Sequence, residues 1–203
     1  MEHQKTRFYP FRFNASLQAY HLIKRFEGLE LSEYNCSAGK RTIGFGHLIA
    51  KYDRTLNRVV GKKRRALIKI SELEAEYILC LDIRKCEKVL HDSIKAPISQ
   101  NEFDTLVSFV FNLGEGNFKS STLLRCLNKS EYLAAADQLL RWCHVGKRVS
   151  QGLLKRRFVE YCLMLGEIPP ESRYGEYAKR YLSILRVDLK KEASRIFDNL
   201  EGL

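Results

Sequence analysis

The sequence lacks the marks of several protein classes. No apolar run approaches membrane-spanning length, and Met1 to Pro10 holds none long enough for a secretory signal, so passage out of the cytoplasm would need separate machinery. There is no C-x-x-C pair. The six cysteines (Cys36, Cys80, Cys86, Cys126, Cys143 and Cys162) stand singly in a chain of 203 residues, which argues against structural zinc and for thiols of a reducing compartment. No internal repeat, low-complexity tract or nucleic-acid motif occurs, and no metal or cofactor is expected. What is present is ample apolar residue, 45% of the chain, which excludes disorder and suffices for a core without disulfide staples.

The net charge is +11, and its location matters more than its size. Between Lys51 and Lys69 eight basic residues face the single acid Asp53, so +7 sits in one short segment; from Glu167 to the end seven basic and seven acidic residues cancel. A local positive field attracts polyanions in general: nucleic acid, anionic lipid or an acidic cell-wall polymer. Only Tyr52 is interleaved with the basic run, so a nucleic-acid reading ranks far below the others.

In chain order, residues 1–13 read as a basic, aromatic N-terminal arm, loosely docked. Asn14 can cap a helix whose apolar residues Leu17, Tyr20, Ile23 and Phe26 recur at helical spacing and stop at Gly28. Glu27 then lies at the helix C-terminus, where the dipole disfavours a carboxylate and suits a general acid. Residues 34–47 carry three glycines among β-compatible residues and read as a twisted hairpin or small sheet. The basic segment 51–69 reads as exposed, with a turn at Val59-Val60-Gly61.

Ser71-Glu72-Leu73-Glu74 has capping-box spacing and opens a long helix to about residue 91, its apolar face expected on Leu73, Tyr77, Leu81 and, after a slip in phase, Val89. After Pro97, Ser99-Gln100-Asn101-Glu102 opens a second capped helix. It is apolar on most sides (Phe103, Leu106, Val107, Val110, Phe111 and Leu113) and is the candidate for the central buried helix. Further helices are expected over 118–127, 131–143 and 151–165. After Ile168-Pro169-Pro170, a charged amphipathic extension follows over 174–200. The expected fold is α+β, mainly α: a small hairpin lobe, a long connecting helix, a helical lobe and a C-terminal helical extension. The domain bounds are 1–13, 14–166 and 167–203.

A carboxyl at a helix end facing a hairpin hydroxyl is a generic arrangement for hydrolysis: the acid protonates a leaving oxygen while polar groups opposite hold a water. Spacing alone leaves the bland readings open: Glu27 as a solvated helix-end acid, Thr42 as a β-former, Cys36 as a small core residue.

The run Phe26-Glu27-Gly28-Leu29, continued by Leu31, Tyr34, Gly39 and Thr42-Ile43-Gly44-Phe45-Gly46-His47, resembles the active-site signature of phage-type lysozymes, the endolysin muramidases. The likeness continues in Ser99 to Gly114, in Ser121-Thr122-Leu123-Leu124, in Ala134 to Trp142 and in Gly152-Leu153-x-x-Arg156-Arg157. It covers about residues 17–166 in order. The resemblance implies a lysozyme-like two-lobe fold and hydrolysis of the β-1,4 bond between N-acetylmuramic acid and N-acetylglucosamine in peptidoglycan. By position it makes Glu27 the general acid and gives Thr42 a share in holding the attacking water. His47 takes a structural hydrogen-bonding role. Leu48, Phe111, Asn112, Ser121 and Gln138 match positions lining the interlobe cleft, although Phe111 and Ser121 equally fit core and helix-cap roles.

The departure from the commonest pattern is Cys36, where many relatives carry Asp; other endolysins of the group resemble this chain in placing Cys there. An unperturbed thiol is mostly neutral at pH 7 and a poorer base than a carboxylate, unless neighbours such as Lys40 and Arg41 lower its pKa. The leading expectation is therefore a monomeric muramidase, released through a holin or a dedicated secretion route, its basic segment holding an anionic envelope polymer or simply solvated. The alternative is a non-catalytic peptidoglycan-binding pseudo-lysozyme.

Overall fold

The computed structural model describes residues 6–36, 39–50, 53–61 and 67–166. Lys51, the basic residues at 62–65 and all of 167–203, with the helix expected over 174–200, lie outside the described residues.

The first helix, α1 (Leu17–Glu27), starts two residues later than the sequence reading placed it. Ser16, not Asn14, is the cap: its hydroxyl accepts from the Gln18 N–H and donates to Asp104. The buried face is Ala19, Leu22 and Ile23, while Leu17 is 75% exposed. Gly28 ends the helix at φ +70°, a conformation that favours glycine.

A three-stranded antiparallel sheet follows, β1 (Glu30–Asn35), β2 (Arg41–Gly44) and β3 (His47–Leu48), with β2 in the middle. Thr42 pairs with Tyr34 on one side and with Leu48 on the other. The segment after it is not a plain exposed loop. Asp53 caps a short helix, α2 (Arg54–Val60), by accepting from the Leu56 N–H, and Leu56 is fully buried.

Helix α3 (Glu72–Ser93) carries the expected capping box at Ser71, but its buried face is Ala75, Ile78, Leu79, Ile83, Cys86, Val89 and Leu90. Leu73 is 80% exposed and Tyr77 47%. The observed face is continuous at helical spacing, so the slip in phase disappears. Helix α4 (Gln100–Leu113), capped by the Ser99 box, runs through the core as expected, with Phe103, Leu106, Val107 and Phe109 fully buried.

The helix expected over 118–127 is two, α5 (Glu115–Ser120) and α6 (Thr122–Asn128), divided where Ser121 caps the second. Helix α7 (Tyr132–Leu139) stops short of residue 143 and is followed by a small hairpin, β4 (His144–Val145) and β5 (Arg148–Val149), that patterning missed. Helix α8 (Gln151–Met164) packs back on α4.

The described part of the N-terminal arm, residues 6–13, is docked firmly rather than loosely. Phe8 and Ile98 exchange both backbone hydrogen bonds, Pro10 is buried, and the Arg7 guanidinium grips Glu102 while lying over the Tyr132 ring.

Candidate active site

Glu27 is the last residue of α1, and its side chain is 20% exposed. One neighbour bonds its carboxyl and another lies close against it. Arg156 on α8 donates from Nη1 to Oε1 at 2.5 Å. Close against it lies Gly46, at φ +80° in the turn between β2 and β3; a Cβ there would stand 3.1 Å from Oε2. The positive φ favours glycine in the turn, and a side chain there would crowd the Glu27 carboxyl. The helix-end environment read from the sequence is thus incomplete, because it omits a guanidinium brought from 129 residues away.

Across from Glu27, the hairpin end is ordered by its own backbone. The Lys40 carbonyl accepts both the Cys36 N–H and the Thr42 hydroxyl, each at 2.9 Å. The Cys36 carbonyl accepts from the Gly39 N–H at 2.8 Å, which closes the turn. Thr42 is buried and Cys36 half-buried, and none of the six cysteines forms a disulfide. Burial pushes the Tyr34 phenol up, and the charges of Glu27, Cys36 and Glu30 add to this. One β1 side chain therefore senses both Glu27 and Cys36, so the hairpin end and the helix end share one electrostatic neighbourhood. Arg41 differs from the sequence reading: it is engaged with Glu33, whose carboxyl this hydrogen bond lowers.

His47 is structural. Its Nδ1 lies 2.5 Å from Asp82 on α3 and its Nε2 2.8 Å from Asp53 at the start of α2, so the two carboxylates favour the imidazolium, in which both ring nitrogens donate. Burial opposes that charge, but the two carboxylates outweigh it and raise the pKa. The cluster pins β3 to two helices.

The expected cleft residues are dispersed in their roles. Leu48 is half-exposed on β3. Phe111 packs partly buried against the core, and Asn112 accepts from Arg157 at 3.0 Å. The Ser121 hydroxyl is consumed by capping, donating to the Phe118 carbonyl at 2.7 Å and accepting from the Leu124 N–H at 3.0 Å. Gln138 lines a cavity of about 260 Å³ with Thr122, Leu123, Arg141 and Trp142. Among the described residues, no group of three or more His, Cys, Asp or Glu side chains could hold a metal ion.

Sequence reasoning did not assign roles to Arg156, Gly46 or Tyr34. The available signal for the first was the pair Arg156-Arg157 inside an otherwise core-facing helix, because buried charge is retained only with partners.

Comparison with known proteins gives the family and the fold. The family described as Phage lysozyme matches residues 24–160. An endolysin of Acyrthosiphon pisum secondary endosymbiont phage 1 is 39% identical over 146 residues, 70% of this chain and 91% of its own length. An endolysin of Bacillus phage B103 is 37% identical over 163 residues, 79% of this chain; the chain spans only 57% of that relative. The solved endolysin from Escherichia coli O157:H7 phage FAHEc1 superposes with a TM-score of 0.65 at 33% identity, over 78% of this chain and 97% of that one.

Proposed function

Given that this chain belongs to the phage lysozyme family, we propose a division of labour for its residues within the reaction of that family. The protein is a glycoside hydrolase, a peptidoglycan-hydrolysing muramidase of endolysin type that acts on the bacterial cell wall. Glu27 is the general acid and donates its proton to the oxygen between N-acetylmuramic acid and N-acetylglucosamine as that bond breaks. Cys36 and Thr42 hold the attacking water on the opposite face of the sugar ring. The oxygen of this water bonds to the anomeric carbon, and its proton passes to the Cys36 sulfur, which acts as the thiolate base.

The observation that carries this reading is the Glu27 carboxyl held by Arg156 and felt, with Cys36, by Tyr34 of a hairpin in which one carbonyl, that of Lys40, orders both Cys36 and Thr42. The resemblance gives the Cys36 sulfur the position of a carboxylate in many relatives, and nothing favours the non-catalytic alternative. Leu48, Phe111 and Gln138 serve as cleft contacts for the glycan, while Asn112 and Ser121 shape the cleft wall through Arg157 and the α6 cap. The basic residues of 51–69 hold an anionic envelope polymer, and the protein acts as a monomer after passage through a holin or a secretion route.

The test is release of reducing ends from peptidoglycan. Glu27→Gln should lower turnover at least ~10²-fold, Cys36→Ser should weaken it, and Cys36→Asp should restore it. Wild-type activity in Glu27→Gln would sink the assignment of the acid.

A further inference from the structure

Helix α8 carries three charges into the core. Arg156, Arg157 and Glu160 are 3%, 0% and 0% exposed. Each buried ion costs several kcal/mol unless paired and hydrogen-bonded, so the arrangement of partners is informative.

Around Arg156 every guanidinium nitrogen is engaged. Nε donates to Glu160 Oε1 at 3.1 Å, Nη2 donates to the Ser108 carbonyl and hydroxyl, both at 3.1 Å, and Nη1 donates to Glu27. Glu160 Oε1 also accepts from the Ser108 hydroxyl at 2.7 Å and from Arg157 Nη2 at 3.1 Å, and its Oε2 lies 2.9 Å from Arg157 Nε. A cation needed only to neutralise Glu27 would not require this second layer. A guanidinium is a rigid plane of donors, so holding Nε and Nη2 fixes where Nη1 points.

We propose that Glu160, assisted by Ser108, is a positioning residue for the general acid: Glu160 holds Nε of Arg156, Ser108 holds Nη2, and together they aim Nη1 at Glu27. This rests on the reading of Glu27 as the acid. Two guanidiniums thus share the Glu160 carboxyl, and one of them reaches Glu27. Facing Glu27 are Arg156 from α8, Tyr34 from β1 and the uncharged Gly46 from the sheet turn, while Lys24 of its own helix pairs with Glu76. Among the described residues, Glu160 is the carboxylate paired with both α8 guanidiniums, so it tempers their field on the acid.

The experiment compares the full chain with Glu160→Gln, which keeps the shape and an acceptor for Ser108, with Ser108→Ala, and with Glu27→Gln as control. Folding is followed by circular dichroism, and hydrolysis of peptidoglycan across pH 5 to 9 gives kcat, KM and the pH profile. Glu160→Gln should lower kcat about tenfold with KM little changed, because the acid is misaimed after substrate has bound. It should also move the alkaline limb of kcat/KM to lower pH by roughly half a unit or more, since an unbalanced positive charge favours the ionised acid. Ser108→Ala should lower kcat severalfold with the limb unmoved, because no charge changes.

A folded Glu160→Gln protein with wild-type kcat and an unmoved limb overturns the proposal. If that variant does not fold, Ser108→Ala decides: a fall in kcat at constant KM supports the aiming role, and unchanged kcat overturns it. Turnover retained in Glu27→Gln would instead remove the assignment of the acid itself, which separates the two failures.

Discussion

Two buried charge clusters flank the candidate site. At the sheet, His47 lies between Asp53 and Asp82 and ties β3 to α2 and α3. Among the helices, Arg156 and Arg157 meet Glu160, Ser108 and Glu27. Histidine changes charge near neutrality, whereas a guanidinium stays charged wherever the protein is folded. The joint that holds the sheet is therefore conditional on pH, and the joint that holds the acid is permanent. A group that must gain and lose a proton is supported by one that does not.

The largest effect expected on this contrast comes from Arg156→Met, which leaves the buried Glu160 with one of its two guanidiniums and removes the ion-pair partner of Glu27. Unfolding in urea should show a loss of about 3–5 kcal/mol, the scale for breaking a buried ion pair. Turnover should fall ~10²-fold. Wild-type stability in that variant would make the helical cluster no more than a surface-like pair.

The next effect is the pH dependence of stability. The folded His47 pKa is raised, with burial opposing and Asp82 and Asp53 prevailing, so the folded state binds this proton more tightly than the unfolded chain. The stabilisation is complete below the ordinary histidine value of about 6.5 and is lost as pH rises through the raised folded value. Thermal unfolding from pH 5 to 9 should decline over that window in the wild type and should be flat there in His47→Gln. A decline of equal size in both would detach the pH sensitivity from this joint.

The smallest effect sharpens the comparison from outside. Lys88 and Asp92 on α3 form an ion pair at 3.0 Å, in the same chemical terms as the buried ones. Water surrounds both partners, so Lys88→Ala should leave the melting temperature unchanged within measurement. A clear drop would mean that burial is not what distinguishes the clusters.

Local chemistry made much of the fold legible. The Ser71 and Ser99 capping boxes start α3 and α4 where their spacing predicts, and Gly28 ends α1 directly after Glu27. Harder to read were features that depend on what lies opposite. The exposed residues Leu17, Leu73 and Tyr77 are apolar and correctly spaced, yet burial selected the neighbouring faces of α1 and α3 because those meet the core. Helix α2 was hidden in a segment dominated by basic residues, where Leu56 supplies the buried anchor and Asp53 serves both as cap and as a partner of His47. Arg41 illustrates the limit of sequence proximity: five residues from Cys36, its guanidinium is nevertheless committed to Glu33.

What the sequence by itself determined was the set of short-range commitments: caps, turns, the helical core and the order Glu27, Cys36, Thr42, all written within a few residues of one another. Only the tertiary structure decided which charges meet. Arg156 reaches Glu27 across 129 residues, and Asp82 reaches His47 across 35, because helix packing places their backbones side by side. Chain-local patterning carries no term for that distance, while the desolvation of a buried charge leaves it no stable alternative to the partner that packing provides.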